Sequence, residues 1–150
     1  MKFFTLTKQF FLVLFLSSFI FADPPPEWDS DGDGNFDDVN LYQNSMSITS
    51  AVFIEGVNAG SDGDLLAAFV GDEQRGLQVT TAVPFGPYAG TNMFLILIYS
   101  NVASGETVTF QFYDIETDSV YEVDETYVFV SDDTYGDMME PELLHTSTDD

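Results

Sequence analysis

The chain reads as an all-β protein, an antiparallel β-sandwich of about seven strands. Three observations predict this. Apolar runs are short, and several alternate with the period of two that a half-buried strand requires. Turn residues punctuate them at close spacing, as at Asp62-Gly63, Gly71-Asp72, Gly86-Pro87 and Ser104-Gly105. After residue 22, no segment carries an apolar stripe at helical spacing for three turns. A small β-barrel is the alternative closure of the same strands.

The first 22 residues read MKFFTLTKQFFLVLFLSSFIFA. Lys2 and Lys8 make a basic start, Phe10 to Leu16 is apolar, and the small Ala22 ends the segment. This is the layout of a secretory signal peptide. Phe10 to Ala22 is shorter than the roughly 20 residues a membrane span takes. Cleavage is expected, with no membrane anchor left behind. Release to the outside is the expected location, with the periplasm or cell surface as variants of it.

Residues 23–44 precede the strands. Asp23-Pro24-Pro25-Pro26-Glu27 is a stiff extended leader, and an acidic, Gly-bearing loop follows at 29–40. The β-sandwich domain is expected over 45–144. Its first strand, Ser45 to Ile54, puts Met46, Ile48, Val52 and Ile54 on one face. Leu65 to Val70 is apolar throughout, as a strand covered on both faces would be. Gly76 to Ala82 is the third. Met93 to Tyr99 is the most apolar and is expected at the centre. Thr107 to Tyr113 alternates, with Val108, Phe110 and Phe112 inward. Ser119 to Val123 and Thr126 to Val130 complete the seven. Such short, evenly spaced strands fit a sandwich of the immunoglobulin or fibronectin III kind. Residues 145–150 read as a disordered tail.

Composition removes several functions. The 150 residues carry 3 Lys plus Arg against 26 Asp plus Glu, a formal net charge of −23. Nothing is available to neutralise phosphates, so nucleic acid is excluded as a partner. Loss of the signal leaves Arg75 as the single base. Self-repulsion at that charge density costs stability unless salt or bound divalent cations relieve it. There are no cysteines, which removes disulfides, thiol nucleophiles and thiolate metal sites.

One motif is sharp. Residues 29–40 read Asp-Ser-Asp-Gly-Asp-Gly-Asn-Phe-Asp-Asp-Val-Asn. Asp29, Asp31 and Asp33 occupy loop positions 1, 3 and 5, and Gly34 allows the sharp turn at position 6. Asn35 offers a carbonyl at 7, and Asp37 a direct or water-bridged oxygen at 9. This spacing wraps one calcium ion in hard oxygen ligands. Position 12, usually a bidentate Glu, is Asn40, so Asp38 or a carboxylate from the body is needed to complete the shell. Without flanking helices, the loop resembles the DxDGDG calcium repeats of thrombospondin type 3 and dockerin modules. Ca2+ is the expected cofactor, bound at roughly 10⁻⁴ to 10⁻³ M. The plainer reading is a solvated acidic linker. Other acids, at 62 and 64, at 114, 116 and 118, at 124 and 125, and at 132 and 133, read as loop tips, with a second cation site as the alternative.

Four runs carry a wider resemblance: Asp64-Leu-Leu-Ala-Ala-Phe-Val-Gly-Asp-Glu-Gln-Arg-Gly76, Met93-Phe-Leu-Ile-Leu-Ile-Tyr-Ser100, Glu106-Thr-Val-Thr-Phe-Gln-Phe-Tyr-Asp114 and Glu125-Thr-Tyr-Val-Phe. Together, over about 42–144, they resemble a secreted β-sandwich module of Bacteroidetes and related marine bacteria. Such modules often precede a type IX sorting domain or accompany adhesion and carbohydrate-related domains. The resemblance implies no catalytic residues. It differs at Gln74, where the family often has a cysteine before its Arg-Gly pair. No sorting domain follows up to Asp150, which puts type IX export in doubt and leaves simple release, or a truncated gene, as the expectation.

These observations favour a non-catalytic, calcium-stabilised module for extracellular adhesion or matrix assembly, self-associating through bridging cations or holding a glycan or protein ligand. An enzyme would have to rely on His145, the one histidine, in a polar tail. The other binding reading is a carbohydrate-binding module using exposed aromatics. Tyr113 and Tyr121 are its candidates, expected opposite the inward residues and on a shared exposed face. Arg75 is the candidate for gripping a ligand, with an ion pair to Asp72 or Glu73 as its structural alternative.

Overall fold

The structure is a computed structural model that describes residues 26–147. The signal-peptide segment lies outside the described residues. The described chain forms β1 (Asn44–Ile54), β2 (Val57–Asn58), β3 (Leu65–Val70), β4 (Glu73–Val79), β5 (Thr81–Ala82) and β6 (Asn92–Ser100). β7 (Ser104–Asp114), β8 (Ser119–Glu122), β9 (Tyr127–Val130), β10 (Thr134–Tyr135) and β11 (Glu142–His145) follow. A 3-10 turn at Val39–Leu41 precedes β1.

Two sheets pack face to face as a β-sandwich and do not close into a barrel. The first has the order β10-β1-β6-β5, with β2 and β11 also paired to β1. The second has the order β4-β3-β7-β8, with β9 also paired to β7. Most pairs are antiparallel, but β10 and β11 run parallel to β1. The core between the sheets is built from Met46, Ile48, Val52, Leu66, Phe94, Ile96, Ile98, Val108, Phe110, Phe112, Phe129 and Leu144. The alternation read for β1 and β7 is therefore the inward face, with Ile54 half-buried at its margin. Ser50 sits on that face between Ile48 and Val52, fully buried, with no partner for its hydroxyl.

The uninterrupted apolar run of β3 has its expected cause. Leu66 and Ala68 face the core. Ala67, with Leu65 and Phe69 beside it, faces the opposite way and is covered by Phe36 and Trp28 of the N-terminal segment. Residues 26–43 are thus a strap laid over the outer face of β3 and β4. The boundary at residue 44 is one of sequence and not of packing.

Some elements differ from the sequence reading. The run 76–82 is two strands. Thr80 donates its N–H to the Asp64 carbonyl, and there the chain leaves the second sheet for the first. β4 approaches β6 so closely that a Cβ on Gly76 would lie 2.5 Å from the Leu97 carbonyl oxygen. The residues expected to form a disordered tail from 145 are paired as far as described. Leu144 is fully buried, Thr146 bridges Val123, and Ser147 donates to the Glu122 carbonyl. This last stretch ties one sheet to the other. Of this tail, 148–150 lie outside the described residues.

Candidate metal centre

The acidic loop is shaped by its own carboxylates. Asp29 accepts the N–H of Gly32 on Oδ1 and of Gly34 on Oδ2, each at 2.7 Å. Asp31 accepts the Asp33 amide at 3.1 Å, and Asp33 accepts the Asn35 amide at 2.8 Å. Asp37 accepts both the amide (2.9 Å) and the hydroxyl (2.8 Å) of Ser30. Such side-chain-to-backbone bonds bend the chain into successive turns. Gly34 is required twice over: its φ is +79°, and a Cβ there would sit 2.8 Å from Val79 side-chain carbons.

The turns bring one oxygen each of Asp29, Asp31 and Asp37 within 4.8 Å of one another. Three of the six expected ligands therefore converge. Asp33 is outside this trio, its carboxylate turned to the Asn35 amide. Asn35 pairs in a bridge with Gln78, and Asn40 lies exposed in the 3-10 turn. Among the described residues, no second group of three carboxylates converges in this way. Of the other acids, Asp64 is fully buried and serves the fold. It accepts Ser61 N–H and Oγ–H and the Ile115 N–H, joining two turns.

Electrostatics mark the trio as unsettled. Partial burial works to raise the Asp29 pKa, but the amides of Gly34 and Gly32 outweigh it and hold it below the usual carboxylate value. For Asp31 the Asp33 amide works to lower the value. Desolvation and the charges of Asp33 and Asp37 prevail and raise it. Like charges crowded in one place favour a proton on one of them. A divalent cation supplies the same relief with more charge.

The loop is clamped to the sandwich at several points. Val79 donates its N–H to the Gly34 carbonyl at 2.9 Å. Phe36 is buried and stacks on Tyr99, with centroids 5.7 Å apart, and beside Tyr42 at 6.1 Å. Trp28 meets Phe69 and Tyr113 edge-on, and its carbonyl accepts from Gln74 Nε2 at 2.9 Å. Cradle and sheet are one packed unit.

The other candidates have structural employment. Arg75 is nearly buried, and each of its three guanidinium nitrogens is bonded. Nε donates to Glu73 at 2.6 Å, Nη1 and Nη2 grip the Glu106 carboxylate at 3.0 Å each, and Nη1 also reaches the Tyr99 carbonyl at 3.1 Å. The Tyr42 ring lies 5.1 Å from the guanidinium carbon. Glu73 is thus one of the two partners expected, but Glu106 is the stronger one, and Asp72 takes no part among these bonds. Four of the five Arg75 N–H groups are thus taken within the fold.

Tyr113 and Tyr121 do not share an exposed face. β7 and β8 pair Phe112 directly with Tyr121 and Tyr113 with Val120. Directly paired residues point to the same side, so Tyr121 joins Phe112 at the core while Tyr113 points outward. Tyr113 is buried there under Trp28 and donates to Asp118 at 2.7 Å. Trp28 and Tyr42 are half-buried, Trp28 edge-on to Phe69 and Tyr113 and Tyr42 beside Phe36.

Glu106 escaped the sequence reading, although a signal existed. It has the same parity as Val108, Phe110 and Phe112, and a carboxylate on an inward face needs a cation. A second omission is the pairing of phenols with carboxylates: Tyr42 to Glu73, Tyr113 to Asp118, Tyr127 to Glu142 and Tyr135 to Asp133. With Arg75 the one Lys or Arg among the described residues, tyrosine hydroxyls and amides take the place of cations.

No protein-family model matches the chain, and no curated protein or solved structure matches it. Function is accordingly argued from the site itself.

Proposed function

We propose that this is a secreted, non-catalytic β-sandwich module, stabilised by calcium and used in extracellular adhesion or matrix assembly. The observation that carries the reading is the convergence of Asp29, Asp31 and Asp37 on a strap packed against the sheet. Without a cation the three charges repel; with one they close the strap. Calcium takes 6–8 oxygens, so the three carboxylates would be joined by backbone carbonyls and water. Because the strap covers Ala67 and Leu77, an ion held in it would stabilise the domain as a whole. The surface is so acidic that copies repel unless cations bridge them. His145 is engaged by Glu125 at 2.6 Å and stacks on Phe53, an arrangement that fixes the last strand rather than poising a base.

Calorimetric titration of calcium into the protein and into Asp31→Ala tests the site. Binding in the range of about 10⁻⁴ to 10⁻³ M is expected for the wild type and loss of most of it in the variant. Identical isotherms would end the reading. Light scattering over the same titration tests assembly, for which particle size must grow with calcium.

A further inference from the structure

Beside the acidic loop lies a cleft of about 540 Å³. Its lining combines two carboxylates, Asp29 and Asp33, with the apolar side chains of Leu65, Val79, Tyr113 and Ile115. Ile115 is half exposed, an apolar group held out to solvent at the cleft. An occupant that fits must present a positive head and an apolar stem. The chain cannot supply one from within the described residues: Arg75 is their one Lys or Arg, and its nitrogens are all bonded elsewhere.

We propose that this cleft receives a lysine side chain from a basic segment of a partner polypeptide. The four-carbon stem of lysine lies well on apolar surface while its ammonium stays at a polar rim. Arginine fits less well. Its planar fork seeks a carboxylate with both oxygens free, but both oxygens of Asp29 already accept Gly32 and Gly34, and Asp33 has given Oδ1 to Asn35. Of the four oxygens, Asp33 Oδ2 is the one that accepts no amide, and a point-charge ammonium can use it alone. The net charge of −23 would steer a basic segment to this surface. The cleft shares Asp29 with the converging trio, but Asp33 stands outside it, so the lysine site is tested without calcium.

The test is a titration of the 15N-labelled protein with Nα-acetyl-lysine N-methylamide, in EDTA, following the amides of Gly32, Gly34, Gly63 and Ile115. Saturable shifts at these residues with a Kd of about 1–10 mM are expected. Asp33→Asn should weaken binding at least about fivefold, and Ile115→Ser by a similar factor, with unchanged spectra elsewhere. The norleucine and arginine analogues should each bind at least about fivefold more weakly than lysine. Equal binding of norleucine, unsaturable shifts, or an Asp33→Asn variant that binds as wild type would overturn the proposal. Calcium calorimetry on the same samples separates the two readings: lysine binding in EDTA together with no calcium binding removes only the metal reading.

Discussion

Replacing Arg75 with Met should cost this domain a large part of its stability, by an amount that depends on pH. The guanidinium ties β4 to β7 through Glu106, to β6 through the Tyr99 carbonyl, and to Glu73 on its own strand. Removing one partner of a buried pair costs about 3–5 kcal/mol. The Glu73 side chain is 60% exposed and keeps its solvation, whereas that of Glu106 is 25% exposed and loses part of it. Discounted for that exposure, the cost is about 2–3 kcal/mol at pH 7. Arg75 and Ser100 hold the Glu106 pKa below its ordinary value of 4.5, and Tyr42 and Arg75 do the same for Glu73. A carboxylate depressed in the folded state adds stability above its unfolded value and loses it as pH falls through the folded one. The gap between wild type and Arg75→Met is therefore full at pH 7 and narrows below about pH 4.5. Urea unfolding followed by the fluorescence of Trp28, the single tryptophan, measures it at both pH values. A cost below about 1 kcal/mol at pH 7 would place the pair among ordinary surface ion pairs. A gap of equal size at pH 7 and pH 3 would show that the carboxylates are not its source.

Gly76→Ala should destabilise by more than about 2 kcal/mol in the same urea assay, because its Cβ meets the Leu97 backbone oxygen. Gly32→Ala has open space around it and should cost only about 1 kcal/mol, for its positive φ alone. In alkaline titration at 295 nm, Tyr42 and Tyr113 should ionise at about 12. Burial leads for Tyr42 and the Asp118 contact for Tyr113. Phenols raised in the folded state add stability below their unfolded value of 10, lost as pH rises through 12; titration near 10 in the native protein would remove the phenol–carboxylate pairs. Ending the chain after Pro141 should abolish cooperative unfolding, since it deletes the buried Leu144 and the link from Thr146 to Val123. Retained cooperativity, read by near-UV circular dichroism, would return that stretch to the status of a tail.

Much of the fold was legible because its strands announce themselves by side-chain parity. β1, β3, β6 and β7 each carry apolar residues in a period that a two-sided sheet explains, and these four hold most of the core. What stayed hidden lacked periodicity. β2, β5 and β10 have two residues each, too few for any pattern. β11 offers the core one residue, Leu144, inside an acidic stretch, and its partner β1 is some 90 residues away. For the candidate site, spacing located the loop but not its geometry. Asp33 was expected beside Asp29, Asp31 and Asp37, but its carboxylate is drawn to the Asn35 amide, and the other three converge without it. The tyrosine pair failed for a different reason. Tyr113 and Tyr121 have the same parity within their own strands, but the register between β7 and β8 sets them on opposite faces, and register is a property of two strands together. The role of Arg75 was half readable: its scarcity demanded a partner, but Glu106 comes from a strand 31 residues on.

Thermal unfolding in chelator and in excess calcium, at one ionic strength, addresses the metal site and its coupling to the sheet in a single experiment. At a calcium concentration of about a hundred times Kd, binding to the folded state alone adds about 2.7 kcal/mol. For a domain of this size, Tm should rise by about 5–10 °C. Asp31→Ala should show little of that rise. Equal melting temperatures in chelator and calcium would mean that no ion closes the strap, and the acidic loop would then be a solvated turn on the sandwich.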